Sequence, residues 1–151
     1  MLPEGIPAPD FTATTTDGTV VTLSSFHGLK NVVLFFYPED DTPGCTREAC
    51  GFRDAKPEYD ASDTAIFGIS LDDQTAHQAF THKYNLNFPL LVDTDGAICA
   101  AYQVPINNRW PKRVTYLINK QGAISKVWEQ VHVAAHAVEV LEEILATTTN
   151  K

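Results

Sequence analysis

A chain of 151 residues, 44% of them hydrophobic, is long enough to bury a core, and no linker or shift in composition argues for a second one, so a single domain over residues 1–151 is expected. Nineteen acidic against eleven basic residues give a formal charge of -8, which, with no basic run, argues against a nucleic acid or an anionic membrane as a partner. No apolar stretch is long enough to span a bilayer, and the start Met1-Leu2-Pro3-Glu4-Gly5 lacks a basic or apolar leader pattern, so the expected location is cytoplasmic.

In chain order, Phe11 to Thr14 and Thr19 to Leu23 are short β-prone runs around Thr16-Asp17-Gly18, an Asp-Gly hairpin signal. Ser24 and Ser25 suit caps of a short helical turn ending at Gly28. Asn31 to Tyr37 is a continuous apolar run of the kind buried on both faces of a parallel sheet. A helix is expected from Pro43 to about Lys56, because Pro57 biases the residue before it away from helix. Ala65 to Ser70 is a second buried-type strand, and Asp72 or Asp73 can cap a helix reaching Tyr84. Pro89 to Val92 reads as a third strand, Asp93 to Gly96 as a turn, and Ala97 to Tyr102 as a short helix. Ile106 to Lys112 reads as a loop. Arg113 to Asn119 and Ala123 to Glu129 then pair as an antiparallel hairpin across Lys120-Gln121-Gly122. The chain closes on a helix with Val138, Leu141, Ile144 and Leu145 on its apolar face. This order predicts an α/β sheet covered on both faces.

The chemistry is concentrated where the first buried strand gives way to its helix, at Pro38-Glu39-Asp40-Asp41-Thr42-Pro43-Gly44-Cys45-Thr46-Arg47-Glu48-Ala49-Cys50. Thr42 is a good N-cap, Pro43 fits the first helical position, and Cys45 falls in the first turn beside unpaired N–H groups and the positive end of the helix dipole. A thiolate is favoured there, and Arg47 adds a nearby positive charge. Three cysteines are too few, and odd in number, for a secreted disulfide scaffold, so redox or catalytic use in a reducing compartment is the better reading.

At Pro38-x3-Thr42-x2-Cys45 the sequence resembles a peroxiredoxin, and Tyr37 to Cys50 resembles the Q-type or bacterioferritin-comigratory-protein branch. Gly5 to Phe11, Gly68 to Asp72, Pro89 to Asp93 and Arg113 to Ile118 fit as well. The resemblance implies a thioredoxin-like fold with an N-terminal β-hairpin and a central mixed sheet flanked by helices. It implies reduction of hydrogen peroxide and small alkyl hydroperoxides without metal or organic cofactor. By the same resemblance Cys45 is the peroxidatic cysteine, Thr42 orients the peroxide, Pro38 shields the thiolate and Arg113 completes the site. Glu48 matches an acidic position often seen in that site. Cys50, five positions on, resolves the sulfenic acid; thioredoxin or a similar dithiol is the implied reductant, and a monomer the implied state.

The residues support these roles independently. Thiolate attack on an O–O bond builds negative charge on the departing oxygen, which Thr42, the Gly44 or Cys45 amide and Arg113 can stabilise. Five residues of helix put the Cα atoms of Cys45 and Cys50 roughly 8–9 Å apart, beyond the ~7 Å a disulfide tolerates, so the helix must unwind locally before they join.

Blander readings apply elsewhere. Cys99, among Ile98, Ala100 and Ala101, reads as a core residue. Arg109 competes with Arg113 for the cationic role. Glu39, Asp40 and Asp41 read as a solvated loop, the five histidines as solvated or capping groups without a metal set, and Trp110 and Trp128 as packing residues. A peroxide-responsive sensor or binding module would use the same thiols; a disulfide oxidoreductase would be expected to carry a Cys-x2-Cys pair, which the sequence lacks.

Overall fold

The computed structural model describes the backbone of residues 1–149 and the side chains of residues 1–147. Strands β1 (Thr12–Thr14) and β2 (Val20–Thr22) form the expected antiparallel hairpin. Asp17 supports its turn by accepting from the Thr15 hydroxyl at 2.6 Å and the Thr19 amide at 3.1 Å. Residues Leu23–Phe26 make a 3-10 turn. Ser24 and Ser25 lie inside that turn and do not cap it; Asp10 accepts from the Ser24 amide at 2.9 Å.

The main sheet has five strands: β3 (Asn31–Phe36), β4 (Thr64–Ser70) and β5 (Leu90–Val92), mutually parallel, then β8 (Val114–Ile118) and β9 (Ile124–Trp128), antiparallel, in the order β5-β4-β3-β8-β9. Strand β3 is central because its apolar run serves both faces. Val32, Leu34 and Phe36 enter one core with Ala13, Tyr102 and Tyr116, while Val33, Phe35 and Tyr37 enter the other with Phe52, Phe80 and Val140. Helices α1 (Pro43–Ala61), α2 (Gln74–Tyr84) and α4 (His136–Thr149) contribute to the second core; the short α3 (Ala97–Ala101) contributes to the first. Gly68 on β4 lets the aromatic layer close up, since a Cβ there would meet Phe35 Cζ at 2.8 Å.

Three further expectations about elements are corrected. Helix α1 runs through Pro57 to Ala61. Proline removes the N–H that would bond the Arg53 carbonyl, but the Asn87 side-chain amide donates to that carbonyl at 3.1 Å, so the helix continues. The buried face of α4 is Ala137, Val140 and Ile144 with half-buried Leu141, whereas Val138 and Leu145 are exposed. The stretch read as a loop contains a small hairpin, β6 (Ile106–Asn107) and β7 (Trp110–Pro111). No helix among the described residues is long and apolar enough to cross a membrane.

Candidate active site

The parallel strand β3 ends against the loop 37–42, which turns into α1 and places Cys45 in the first turn of that helix. Cys45 is buried at 1% exposure against Ala49 and Phe52, so only a small molecule or a moving chain can reach its sulfur. The Thr42 carbonyl accepts the first helical bond, from the Thr46 amide at 2.8 Å. Its hydroxyl, however, does not cap the helix as expected: Oγ1 donates to the Glu39 carbonyl at 2.9 Å. The Thr42 oxygen therefore faces its surroundings as an acceptor, and no N-cap side chain covers the amides of the first turn. Pro38, half-buried, lies in the same loop.

Arg113, just before β8, reaches across to this helix start. Its Nη1 donates to Glu48 Oε1 at 3.0 Å, and its Nη2 lies where a side chain on Gly44 would stand, 2.6 Å from an ideal Cβ there. Glu48, one turn beyond Cys45, is 1% exposed and its Oε2 has no hydrogen-bond partner. Burial pushes its carboxyl up to about 7, with the charge and hydrogen bond of Arg113 pulling the other way. The Glu48 carboxyl thus holds the Arg113 guanidinium over the amide-bearing turn that carries the thiol. The competing cations lie elsewhere. Arg47 is exposed, about 200° around the helix from Cys45, and Arg109 is exposed with its guanidinium 5.6 Å from the Trp110 ring centroid.

Cys45, Cys50 and Cys99 are all free thiols. Cys50 is half-buried on α1, so both motif cysteines occupy one intact helix. Cys99 is fully buried on α3, as expected of a core residue; burial first, and then Asp93, pushes its thiol far up. Trp128 packs edge-on to His136 at 5.8 Å, whereas Trp110 is 40% exposed and is not a packing residue.

The acidic loop is not the solvated stretch expected from its composition. Asp40 accepts from the Tyr37 hydroxyl at 2.6 Å and pairs with His77 Nδ1 at 2.7 Å, its side chain only 6% exposed. Its amide donates to Asp72 Oδ2 at 2.9 Å, which also accepts from the Ser70 hydroxyl at 2.6 Å. Asp73, not Asp72, caps α2, accepting from the Ala76 amide at 2.8 Å. Asp41, exposed and at φ +57°, is held by Lys83 at 2.9 Å and the Tyr84 hydroxyl at 2.8 Å. His77 and His136 are fully buried rather than solvated. His77 carried a signal in the sequence: it sits three residues before Phe80 and seven before Tyr84, on the helical stripe that packs inward. Asp40, Asp72 and His77 have ligand-type atoms within 4.8 Å of one another, but the 2.7 Å contact between His77 Nδ1 and Asp40 Oδ2 is a hydrogen bond. A cavity of about 460 Å³ between Asn31, Glu58, Leu117 and Ile144 lies at the opposite end of β3 from Cys45.

A mixed sheet whose central strand hands on to a helix with a cysteine in its first turn, faced by an arginine from beside an antiparallel strand, has the architecture of the thioredoxin-like peroxidases. Residues 5–127 match the AhpC/TSA family. The putative peroxiredoxin bcp of Coxiella burnetii is 46% identical over 144 residues, covering 91% of this chain and 95% of that protein. The peroxiredoxin Bcp of Bacillus subtilis is 40% identical, covering 93% of each. The bacterioferritin comigratory protein of Xanthomonas campestris, whose trapped intermediate and ligand complexes bear on its alkyl peroxide reduction activity, superposes with a TM-score of 0.88 at 32% identity, covering 96% of this chain and 99% of that one. A PrxQ variant of Xylella fastidiosa superposes with a TM-score of 0.92 at 29% identity, covering 98% of both chains. The chain belongs to the AhpC/TSA family, in its Bcp/Q branch of peroxiredoxins.

Proposed function

We propose that this chain is a thiol peroxidase that reduces hydrogen peroxide and small alkyl hydroperoxides through Cys45. The thiolate attacks one peroxide oxygen; an S–O bond forms, the O–O bond breaks, and water or an alcohol leaves with a proton, giving a sulfenic acid. Thr42 Oγ1 accepts from the peroxide O–H, while the Gly44 and Cys45 amides and Arg113 donate to oxygen as charge develops on it. Pro38 shields the thiolate from water. Glu48 holds Arg113 in place. Cys50 then displaces water from the sulfenic acid to form a Cys45–Cys50 disulfide, and a thioredoxin-type dithiol reduces that bond. The protein works as a single-domain monomer in the cytoplasm, without metal or organic cofactor.

The observation that carries this reading is the Arg113 guanidinium lying within van der Waals reach of Gly44, over the first turn of the helix that holds Cys45. Steady-state consumption of hydrogen peroxide with thioredoxin and its reductase tests it. Cys45→Ser is expected to abolish turnover, and Cys50→Ser to permit one round and then stall. Multiple turnover by the Cys45→Ser chain would reject the assignment.

A further inference from the structure

His77 takes no part in that chemistry, yet it is the most enclosed ionisable ring beside the active-site loop, at 0% exposure. Its Nε2 lies 2.9 Å from the Leu91 carbonyl, which can only accept, so Nε2 carries a proton. Its Nδ1 lies 2.7 Å from Asp40 Oδ2, and a carboxylate also only accepts, so Nδ1 carries a second. The ring is therefore an imidazolium. Burial works against that charge, but the hydrogen bond and charge of Asp40, the Leu91 carbonyl and Asp72 outweigh it, and the net shift is upward.

This ion pair holds one peptide unit. The Asp40 side chain is fixed by His77 and Tyr37, and its amide by Asp72. The carbonyl of the same Glu39–Asp40 peptide receives the Thr42 hydroxyl. The orientation of that single peptide thus links the imidazolium to the position of Thr42 Oγ1 and to the start of α1.

The geometry points to His77 as a positioning residue for the reaction at Cys45: paired with Asp40, it locks the Glu39–Asp40 peptide and thereby the Thr42 hydroxyl that meets the peroxide. This role rests on the peroxidase reading above. When Nδ1 loses its proton, its lone pair faces Asp40 Oδ2 at hydrogen-bond distance, and two acceptors there repel. The lock is complete at low pH and is lost as pH rises through the raised value of His77. The charged groups facing the ring are Asp40, from the loop after β3, and Asp72, from the loop after β4; β5 offers the Leu91 carbonyl. The Tyr37 phenol, reached through Asp40, is pushed well above its ordinary value by burial and by Asp40, so it stays neutral. Glu48 titrates near 7 but pairs with Arg113, so its contribution persists when Asp40 is changed.

The test is rapid-quench alkylation and mass spectrometry of Cys45 oxidation by hydrogen peroxide in the full chain, from about pH 5.5 to about pH 9, for the wild type, His77→Ala and Asp40→Asn. His77→Ala is expected to slow oxidation at least about tenfold, since small misplacements at a reacting centre cost that much or more. Asp40→Asn substitutes a neutral pair, its amide donating to the unprotonated Nδ1, so the alkaline fall in rate expected of the wild type should flatten and the rate should exceed that of His77→Ala. A folded His77→Ala chain oxidised at the wild-type rate, or an Asp40→Asn profile superimposable on the wild type, would overturn the role. If His77→Ala fails to fold, the Asp40→Asn profile alone decides. A wild type inert to peroxide would overturn the proposed function, and this role with it, whereas with a reactive wild type the two variants decide the role of His77 by itself.

Discussion

The guanidinium of Arg113 occupies the space that a side chain on Gly44 would fill, its Nη2 standing 2.6 Å from where a Cβ would be built. Glycine thus leaves the guanidinium room to approach here, with no positive φ at stake, and the arginine lies directly over the amide-bearing turn. Gly44→Ala is expected to push the guanidinium off that turn and slow Cys45 oxidation by about 10–100-fold. Alanine is the better helix former by about 1 kcal/mol, so the helix itself should survive. Single-turnover kinetics alongside circular dichroism would show a fall in rate with α1 intact.

Two buried titratable groups act on stability in opposite directions. Glu48 is pushed from 4.5 up to about 7, chiefly by burial, with Arg113 opposing. Its contribution is therefore fully present below pH 4.5 and is lost as pH rises through about 7. His136 is pushed from 6.5 down to about 4, by burial and then by His132. Its contribution is present above pH 6.5 and is lost as pH falls through about 4. Each spans roughly 3 kcal/mol over its full window, and the two offset each other between pH 4.5 and 6.5. Urea unfolding should find the wild type nearly flat there, with stability rising with pH in Glu48→Gln and falling with pH in His136→Gln.

Oxidation should unwind the start of α1. Cys45 and Cys50 lie on one intact helix as free thiols, and helix geometry keeps their Cα atoms roughly 8–9 Å apart, beyond the ~7 Å limit of a disulfide. Phe52, 0% exposed and stacked on Phe35 at 4.7 Å, anchors the later turns of α1, while the bonds of Asp40 and Asp41 to α2 anchor the loop before it. Amide exchange should therefore rise on oxidation between residues 43 and 51 and stay protected beyond Phe52. Unchanged protection in a chain with a verified Cys45–Cys50 disulfide would contradict this.

The continuation of α1 through Pro57 has its own test. Asn87→Ala removes the donor that serves the Arg53 carbonyl and is expected to cost about 1 kcal/mol, or about 2–4 °C in Tm. The cost should shrink in the background of Pro57→Ala, which returns an N–H to that carbonyl. Thermal melts of the two single variants and the double variant measure the coupling.

How far the sequence could be read depends on the range of the forces involved. The run Asn31–Phe36 and the thiol at a helix start were legible because burial on both faces and a proline at the first helical position are local patterns. The extent of α1 was not, because the partner of the Arg53 carbonyl is 34 residues away. The buried face of α4 was displaced because Ala137, small and weakly apolar, sits against α1 with its carbonyl accepting the Tyr59 hydroxyl at 2.6 Å. The burial of Asp40 depends on His77, 37 residues on, so composition alone read that loop as solvated. Arg113 was separable from Arg109 only by resemblance until the fold brought it to Gly44 and Glu48.

The most direct test of the account is mass spectrometry of the Cys50→Ser chain treated with one equivalent of hydrogen peroxide in the presence of a sulfenic-acid trap. The trapped adduct is expected on Cys45 and not on buried Cys99. An adduct confined to Cys99, or an unmodified Cys45 after the peroxide is consumed, would contradict the assignment of Cys45 as the reacting thiol.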